Sequence, residues 1–361
     1  MMRAGCAPIV AGDDGVILAS NGRLMFQKFD YRRLRPVGTP VAVGLAPSSD
    51  VSVGQPLASA SRNGVLAYTS ESLTNTRLDL LDRSGNRVET LRLPEGRYES
   101  VYFAPDGKRL LAERRASPTA VDLWLFDLER GQSRRFSQGS QTRIGGKPVW
   151  SPDGSRIAFN SNRSGRTYIY QRLVDEAGEE QLLYESPGQF NEVLAWSPDG
   201  KYLVFEQAGP ETGWDLWLLP VDGKREPVPY LKTRFHEYAA SISPDGRWLA
   251  YTTDATGKTE IHARSFPKPG AEHLASNIAG QPFWSENREI LNVGMQGVWS
   301  IPVSTSPTFR AGKPDHLFRG HRGAFWLAPT PAADRFLQIS PIEDDPPTLT
   351  VDLNFLARTG P

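Results

Sequence analysis

A four-residue turn motif recurs at a nearly constant interval, and it constrains the fold of this chain more than any other feature. Ala-Pro-Asp-Gly occupies 104–107, and Ser-Pro-Asp-Gly occupies 151–154, 197–200 and 243–246. Successive turn glycines are 47, 46 and 46 residues apart. In such a turn proline presets φ at the second position, and glycine accepts the left-handed φ that other residues resist. Four copies at this interval indicate an array of equivalent units rather than two or three unrelated domains.

Each unit also repeats the same pattern of short strands around the turn. An apolar stretch that ends in an aromatic residue, such as 149–150 or 195–196, precedes the turn. An alternating strand such as 156–159 follows it, then a third strand such as 215–218 and an outer strand such as 181–184. The apolar period is two throughout, and no segment shows a sustained helical stripe. Four short antiparallel strands in roughly 45 residues are typical of a β-propeller blade.

The chain length then sets the predicted number of blades. The 361 residues accommodate eight such units, so the sequence predicts an all-β fold. We expect a single β-propeller domain over 1–361, built from eight four-stranded antiparallel blades, with seven blades as the alternative. The last unit lacks an outer strand, and we expect residues near the N-terminus to supply one, because an open edge strand invites aggregation. The predicted blades are 5–46, 50–94, 98–138, 143–186, 190–233, 237–278, 281–319 and 323–355.

The composition excludes several classes of function. There are 41 basic and 41 acidic residues, so the chain has no net charge with which to hold nucleic acid. Its lone cysteine, Cys6, excludes intramolecular disulfides and cysteine-built metal sites. No apolar run approaches the ~18 residues that cross a bilayer, so we expect no membrane insertion of this chain. No apolar segment precedes Cys6, so neither a signal peptide nor a lipoprotein signal is predicted.

The repeat resembles that of a known family. The run 150–159, Trp-Ser-Pro-Asp-Gly-Ser-Arg-Ile-Ala-Phe, is followed by Ser-Asn-Arg-Ser-Gly at 161–165. This pattern is similar to the WD40-like repeat of TolB-type β-propellers, and 197–205 and 243–251 repeat it. The resemblance is strong over 98–266 and weaker outside that range. The same repeats cap some prolyl-oligopeptidase-type enzymes.

Three other segments are similar to the C-terminal propellers of bacterial Ser/Thr protein kinases, namely 21–30, 80–85 and 350–355. In those proteins the propeller follows a membrane anchor. The chain has no His-Arg-Asp catalytic loop, no Asp-Phe-Gly and no glycine-rich phosphate loop. The resemblance therefore implies a freestanding relative or an excised propeller portion. A periplasmic or extracytoplasmic location would follow from a sensor protein, and a cytoplasmic one from a freestanding relative.

Motifs of catalytic sites are missing from the sequence. No Gly-x-Ser-x-Gly nucleophile elbow occurs, and the five histidines never show the spacing of a zinc peptidase helix. Asp13-Asp14-Gly15 lacks the downstream ligands of a calcium loop. No cofactor is therefore required by the sequence, although a divalent cation in the central channel stays open.

The candidate site residues precede each predicted inner strand, in the loop that links it to the outer strand before it. In a propeller these positions line the mouth of the central channel, so different side chains converge there from distant parts of the chain. Carboxylates, arginines and histidines grouped in this way can bind a cation, a sugar or a peptide, or transfer a proton. The alternative is that they are solvated loop residues whose Arg–Glu pairs tie blades together. The set is Glu99, Arg143, Asn191, Glu192, His236, Glu237, Tyr238, Gln281, His321 and Arg322.

Two functions are compatible with these sequence features. The first is a noncatalytic, monomeric binding or scaffold module that recognises a protein, peptide or small ligand at the channel mouth, since propeller rims and loops suit recognition. The alternative is an enzyme, a metal-assisted lactonase-like hydrolase or a lyase, with its active site in the central funnel. In that enzyme Glu99, Glu192, Glu237 and His236 would act as metal ligands or bases.

Overall fold

The structure is a computed structural model, and it consists of short β-strands. It describes residues 9–11, 13, 15–20, 23–45, 58–70, 75–117, 120–137, 147–161, 166–175, 179–187, 190–209, 212–285, 289–306, 308–321, 326–342 and 348–358. Within these ranges the one helical element is the 3-10 turn Phe355–Arg358. No helix in the described part of the chain is long and apolar enough to span a membrane.

The strands are numbered in chain order. They are β1 (Ile9–Ala11), β2 (Gly15–Ser20), β3 (Arg23–Asp30), β4 (Arg35–Leu45), β5 (Ala58–Ala60), β6 (Leu66–Ser70), β7 (Thr76–Leu81), β8 (Arg87–Thr90), β9 (Tyr98–Phe103), β10 (Arg109–Ser117), β11 (Ala120–Asp127), β12 (Gln132–Arg135), β13 (Val149–Trp150), β14 (Arg156–Ser161), β15 (Tyr168–Leu173), β16 (Gln181–Tyr184), β17 (Asn191–Trp196), β18 (Tyr202–Gly209), β19 (Gly213–Pro220), β20 (Val228–Leu231), β21 (Glu237–Ile242), β22 (Trp248–Thr253), β23 (Glu260–Ser265), β24 (His273–Ser276), β25 (Gln281–Ser285), β26 (Glu289–Gly294), β27 (Gly297–Ser304), β28 (Arg310–Ala311), β29 (Asp315–Phe318), β30 (Trp326–Pro329), β31 (Phe336–Pro341) and β32 (Thr348–Asp352).

The strands form eight sheets among the described residues, and the chain divides into two compact units. The larger unit comprises Thr76–Ala116 and Ala120–Pro341, and it holds six sheets. Their strand orders are β9-β10-β11-β12, β13-β14-β15-β16, β17-β18-β19-β20, β21-β22-β23-β24, β25-β26-β27 with β28 and β29 beside β27, and β30-β31-β7-β8. The smaller unit comprises Met1–Asn75, Ser117–Thr119 and Ile342–Pro361, and its sheets are β1-β2-β3-β4 and β32-β6-β5.

The predicted fold class is confirmed. The strands pair antiparallel, six of the eight sheets in the described ranges have four strands, and the number of sheets matches the predicted number of blades. A single domain over 1–361 stays a prediction.

The repeated turn forms through its own side chains. In the copy at 151–154, the Ser151 hydroxyl donates to Asp153 over 2.6 Å and accepts the backbone N–H of Arg156 over 2.9 Å. Hydrogen bonds from Ser151 and Ser155 lower the pKa of Asp153 to about 2. Gly154 has a φ of +67°, a conformation that a side chain would strain. The turn is therefore fixed locally, and it sets the first and second strands of each sheet side by side.

Six hydrophobic clusters show how the sheets of the larger unit pack. Each cluster joins one sheet to the next, because alternate residues of a strand face opposite sheets. Ile157 of β14 packs against the β9–β12 sheet, whereas its neighbour Ala158 packs against the β17–β20 sheet. The sixth cluster joins the last sheet to the first through Leu337 of β31 and Leu110 of β10. The six sheets of this unit therefore close into a circle.

Two of the predicted blades, 50–94 and 323–355, exchange strands in the structure. β7 and β8 pair with β30 and β31 in the larger unit, whereas β5 and β6 pair with β32 in the smaller one. The bounds 50–94 and 323–355 are therefore wrong as single sheets, whereas the other six ranges each enclose one sheet. β7 belongs to the larger unit because its residues Leu78, Leu80 and Leu81 are buried against two neighbouring sheets of the circle. The last sheet is completed by β7 and β8, two strands from residues 76–90, so the expectation that one strand from near the N-terminus completes it is wrong.

Candidate functional site

The first strand of each sheet lies at the centre of the larger unit. β13 contacts β17, β17 contacts β21, and β21 contacts β25, while β30 contacts β9. Strands that touch their counterparts in neighbouring sheets surround the centre of the circle, as the inner strands of a propeller do. The sequence predicts the candidate residues in the loops just before these strands, whereas six of them lie within the strands themselves.

The structure places most of the predicted residues at these strand starts. Glu99 lies in β9, Asn191 and Glu192 begin β17, Glu237 and Tyr238 begin β21, and Gln281 begins β25. His236 directly precedes β21, and His321 lies between β29 and β30. Arg143 and Arg322 lie outside the described residues.

A cavity of about 410 Å³ opens among the inner strands of the larger unit. Of the predicted residues it brings together Glu192, Tyr238 and Gln281. Glu206 and Lys147 also line it, and neither was predicted from the sequence. The complete lining is Lys147, Glu192, Leu194, Glu206, Tyr238, Ala239, Thr259, Ala279, Gly280 and Gln281.

Two carboxylates face one ammonium group in this cavity. Glu192 of β17 and Glu206 of β18 are directly opposite each other in the antiparallel register, which brings like charges close together. Burial, and secondly the charge of Glu192, raise the pKa of Glu206 to about 8. Burial lowers the pKa of Lys147, and the two carboxylates partly offset that effect. At neutral pH Glu206 is therefore held mainly in its protonated form.

A bulge in β21 supplies a backbone donor to the same carboxyl group. The register with β22 shifts between Tyr238 and Ser241, and Ala239 within the shift has a φ of +52°. The Ala239 N–H donates to Glu206 Oε2 over 3.0 Å. A non-glycine residue in this conformation is costly, and such residues cluster at functional sites. The bulge therefore aims a donor into the cavity at a local cost in stability.

Tyr238 and Thr259 also line the cavity. Burial raises the pKa of Tyr238, and its hydrogen bond with the Thr259 side chain partly offsets this rise. The Tyr238 hydroxyl therefore stays protonated at physiological pH and is able to donate a hydrogen bond.

Several predicted residues make structural contacts instead. The Glu99 carboxylate accepts from Arg115 Nε over 2.6 Å, and this pair lies within one sheet rather than between blades. Asn191 is buried, donates to the carbonyl oxygen of Thr167 and accepts from the side chain of Asn160. The His321 ring lies 3.1 Å from the carbonyl oxygen of Gly85. These contacts fix loops and strand ends, and the roles of these residues in binding stay predictions.

Glu237 belongs to a second acidic group outside the cavity lining. It is buried, its Oε2 has no hydrogen-bond partner, and burial raises its pKa. Asp215 on β19 is also buried, and its charge contributes to the raised pKa of Glu237. His236 lies nearby and accepts the Trp214 N–H at 3.4 Å.

A series of polar residues on the second strands was not predicted from the sequence. They are buried or nearly so, and they recur close to the repeat interval inside otherwise apolar strands. Glu206 and Thr252 bind the backbone that leads into or through the next inner strand. A polar residue embedded at the same place in successive apolar strands was the signal that could have revealed them. The series is Glu113, Asn160, Glu206, Thr252, Asn292 and Gln338.

Neither the cavity nor the acidic group around Glu237 forms a metal centre within the described ranges. No group of three or more His, Cys, Asp or Glu residues in those ranges is placed to hold a metal ion. The divalent cation suggested for the central channel therefore has no ligand set to support it among the described residues, and whether one binds stays untested.

A match to a protein-family model shows to which family the chain belongs. The model described as the TolB beta propeller domain matches residues 47–288, about two thirds of the chain. The chain belongs to the TolB beta-propeller family. The TolB-type resemblance of the repeats is thereby confirmed, whereas the similarity to kinase propellers stays a prediction.

Individual relatives extend this result. The chain is 31% identical over 108 residues to the uncharacterized peptidase YuxL of Bacillus subtilis, covering 28% of the chain and 16% of the relative. It is 24% identical to dipeptidyl-peptidase 5 of Porphyromonas gingivalis, covering 63% of the chain and 33% of the relative. The crystal structure of TolB from Acinetobacter baumannii superposes with a TM-score of 0.51 at 14% identity, over 92% of the chain and 78% of TolB. This structural likeness shows the fold alone.

These relatives correct the predicted function. A noncatalytic binding or scaffold module was expected, with a lactonase-like hydrolase or lyase as the alternative. The curated relatives are instead named as peptidases, which overturns both expectations. The matched region spans between 16% and 33% of the length of these relatives, and a catalytic domain is not part of what aligns.

Proposed function

We propose that this chain is the propeller part of a peptidase, and that the central cavity of its larger unit receives a segment of the peptide substrate. The observation that carries the proposal is the match to relatives named as peptidases. The proposal concerns the propeller part alone, since the aligned region covers a third of those relatives or less.

The cavity has properties that suit a peptide segment. Its volume of about 410 Å³ falls within the usual range of ligand pockets, roughly 300–1,000 Å³. The carboxyl oxygens of Glu192 and Glu206 offer acceptors, and the Tyr238 hydroxyl and the Gln281 amide offer donors. Peptides need both, because each peptide bond carries an N–H and a carbonyl group.

A blocking substitution tests this proposal. Ala279 lies in the cavity lining and is exposed, so Ala279→Trp should fill the entrance without disturbing the core. We expect a fluorescently labelled pool of mixed-sequence oligopeptides to bind the unaltered chain and to bind the variant about tenfold more weakly or worse, as measured by fluorescence anisotropy.

Ala332→Trp is the matched control. Ala332 is exposed and lines a different and larger groove of about 1200 Å³ beside β8 and β12. This variant should bind the peptides as the unaltered chain does. Loss of binding in Ala332→Trp alone, or no peptide binding by any form of the chain, would contradict the proposal.

A further inference from the structure

Lys147 is a half-buried lysine that lines the cavity, and it makes no ion pair with any described residue. By contrast, Lys108 and Lys201 pair with Glu129 over 2.8 Å and with Asp199 over 3.3 Å. A lysine side chain without such a partner keeps its nitrogen available to a molecule that enters the cavity.

The local sequence gives Lys147 a defined place in the cavity wall. It lies two residues before β13, and the intervening Pro148 is buried. The ring of a proline fixes φ, so the chain has little freedom where it enters this inner strand. β13 contacts β17, the inner strand that carries Glu192. Lys147 therefore lines the same cavity as the two glutamates, Glu192 and Glu206.

The surroundings of Lys147 favour its neutral amine more than water does. Burial lowers the pKa of Lys147, and Glu192 and Glu206 offset this effect only in part. At pH 7, lowering the pKa of a lysine by one increases its neutral fraction about tenfold. The neutral amine is the nucleophile, and desolvation activates the lysines that form Schiff bases in enzymes in the same way.

Glu206 can supply the proton that the condensation of an amine with a carbonyl group consumes. Its pKa of about 8, raised by burial and by Glu192, keeps it mainly protonated at neutral pH. The Ala239 N–H holds its Oε2 over 3.0 Å. A positioned carboxylic acid of this kind is a general acid. The Tyr238 hydroxyl lines the same cavity and offers a donor for a carbonyl oxygen.

We propose that Lys147 captures small neutral aldehydes in this cavity as a Schiff base, with Glu206 as the proton donor. The Lys147 amine adds to the carbonyl carbon, so a C–N bond forms and the carbonyl oxygen takes up one amine proton. Glu206 then protonates the resulting hydroxyl group, the C–O bond breaks and water leaves. The product is an iminium ion that keeps the remaining N–H, and the ionised Glu206 balances its charge. No oxidant or reductant takes part.

The size and charge of the cavity define the class of aldehyde. A volume of about 410 Å³ lies in the lower part of the usual range of ligand pockets, roughly 300–1,000 Å³, which suits a small molecule. Glu192 contributes a negative charge that an anionic aldehyde would meet. Leu194 and Ala279 add apolar surface for a short alkyl chain. An aldehyde and a peptide segment are different ligands, so this proposal does not rest on the proposed function.

Reductive trapping with propanal tests the proposal. The neutral reductant dimethylamine–borane converts a Schiff base into a stable propyl-lysine, and mass spectrometry of digested peptides gives the rate at each lysine. At pH 7 we expect Lys147 to be modified about tenfold or more faster than Lys224 and Lys268, which are exposed. Burial without activation would make Lys147 the slower site. A rate at Lys147 equal to or below that of the exposed lysines would therefore overturn the proposal.

A substitution tests the role of Glu206 as proton donor. Glu206→Gln keeps an acceptor for the Ala239 N–H but has no acidic proton, so it should slow the modification of Lys147 at least about tenfold. The rate at the exposed Lys224 should not change. Asp215→Asn is the matched control, because it alters another buried carboxyl group outside the cavity lining and should leave both rates unchanged. A rate at Lys147 that survives Glu206→Gln would contradict the proposed reaction.

Glyoxylate provides a second measurement on the unaltered chain, and it decides the case if Glu206→Gln does not fold. Glyoxylate is an aldehyde that carries a carboxylate. Relative to Lys224, the modification of Lys147 should be at least about tenfold weaker with glyoxylate than with propanal, because like charges repel in a cavity of low dielectric. Equal ratios for the two aldehydes would show that the reaction takes place outside the cavity and would overturn the proposal. Unmodified Lys147 would leave the proposed function standing, and failed peptide binding would leave the aldehyde result standing.

Discussion

Glu206 is the cavity residue for which we expect a pH-dependent contribution to stability. It is 8% exposed and faces Glu192 across the β17–β18 pair. Burial raises its pKa above the usual value near 4.5, so the folded chain keeps a proton that the unfolded chain releases at neutral pH. The stability linked to this proton is fully present below about pH 4.5 and declines as the pH rises through the folded pKa.

Glu206→Gln should remove this decline. We expect the free energies of unfolding of the two forms to be similar at pH 5, and the variant to be the more stable form by a few kcal/mol at pH 9. Urea denaturation at pH 5, 7 and 9 measures the difference. Glu89→Gln, at an exposed position of β8, is the control and should follow the unaltered chain at every pH. A Glu206→Gln variant with the same pH slope as the unaltered chain would contradict this account.

Those residues of the cavity lining that start inner strands could be predicted from the sequence, because the repeat interval fixes where each inner strand begins. Stepping by one repeat finds residues that start inner strands, and Glu192, Tyr238 and Gln281 were found in this way. Glu206 and Asn292 lie on second strands, where the apolar alternation indicates core. A carboxyl group is rarely placed in a core, and which side chain faces it from another sheet cannot be seen from spacing alone.

The repeated turn is the element that the sequence predicted best. Gly200 allows a test of whether the left-handed backbone of this turn requires glycine. Its φ is +76°, and a Cβ added there would meet nothing within 4 Å. Gly200→Ala should therefore lower the free energy of unfolding by about 1–2 kcal/mol through backbone strain alone. Gly312 is the matched control, since its backbone is not left-handed and a Cβ there would make ordinary contacts. Gly312→Ala should leave stability nearly unchanged in urea denaturation, and equal losses in both variants would refute the strain argument.

Among the properties of the strands, their pairing partners were the ones that the sequence could not predict. Alternation and turns predicted most strands, because both are local properties of the chain. The pairing of β31 with β7 joins Ile339 to Leu78, which are far apart in the chain. Apolar alternation decides which face of a strand is buried but does not specify the partner strand. The assignment of 50–94 and 323–355 to separate sheets failed for this reason.

On the scale of the molecule, the buried apolar residues of the described ranges form one cluster within the smaller unit and six within the larger unit. In the smaller unit Phe355 is fully buried in a cluster with Leu24, Phe26 and Leu66, and its ring meets that of Phe26 at 6.0 Å. Each of the six clusters of the larger unit draws its members from that unit alone. Since cooperative unfolding follows shared cores, a cavity made in one core should loosen its own unit first.

A matched pair of substitutions tests whether the two cores are independent. Phe355→Ala should cost the smaller unit about 3–5 kcal/mol, and Phe336→Ala should cost the larger unit a similar amount. Phe336 is fully buried on β31, and its ring meets that of Phe318 at 5.1 Å. In hydrogen exchange followed by mass spectrometry, Phe355→Ala should speed exchange in β1–β6 and β32, and Phe336→Ala in the strands of the larger unit. Faster exchange in all strands for either variant would show that the two cores unfold together, and the division of the chain into two compact units would then have no counterpart in its stability.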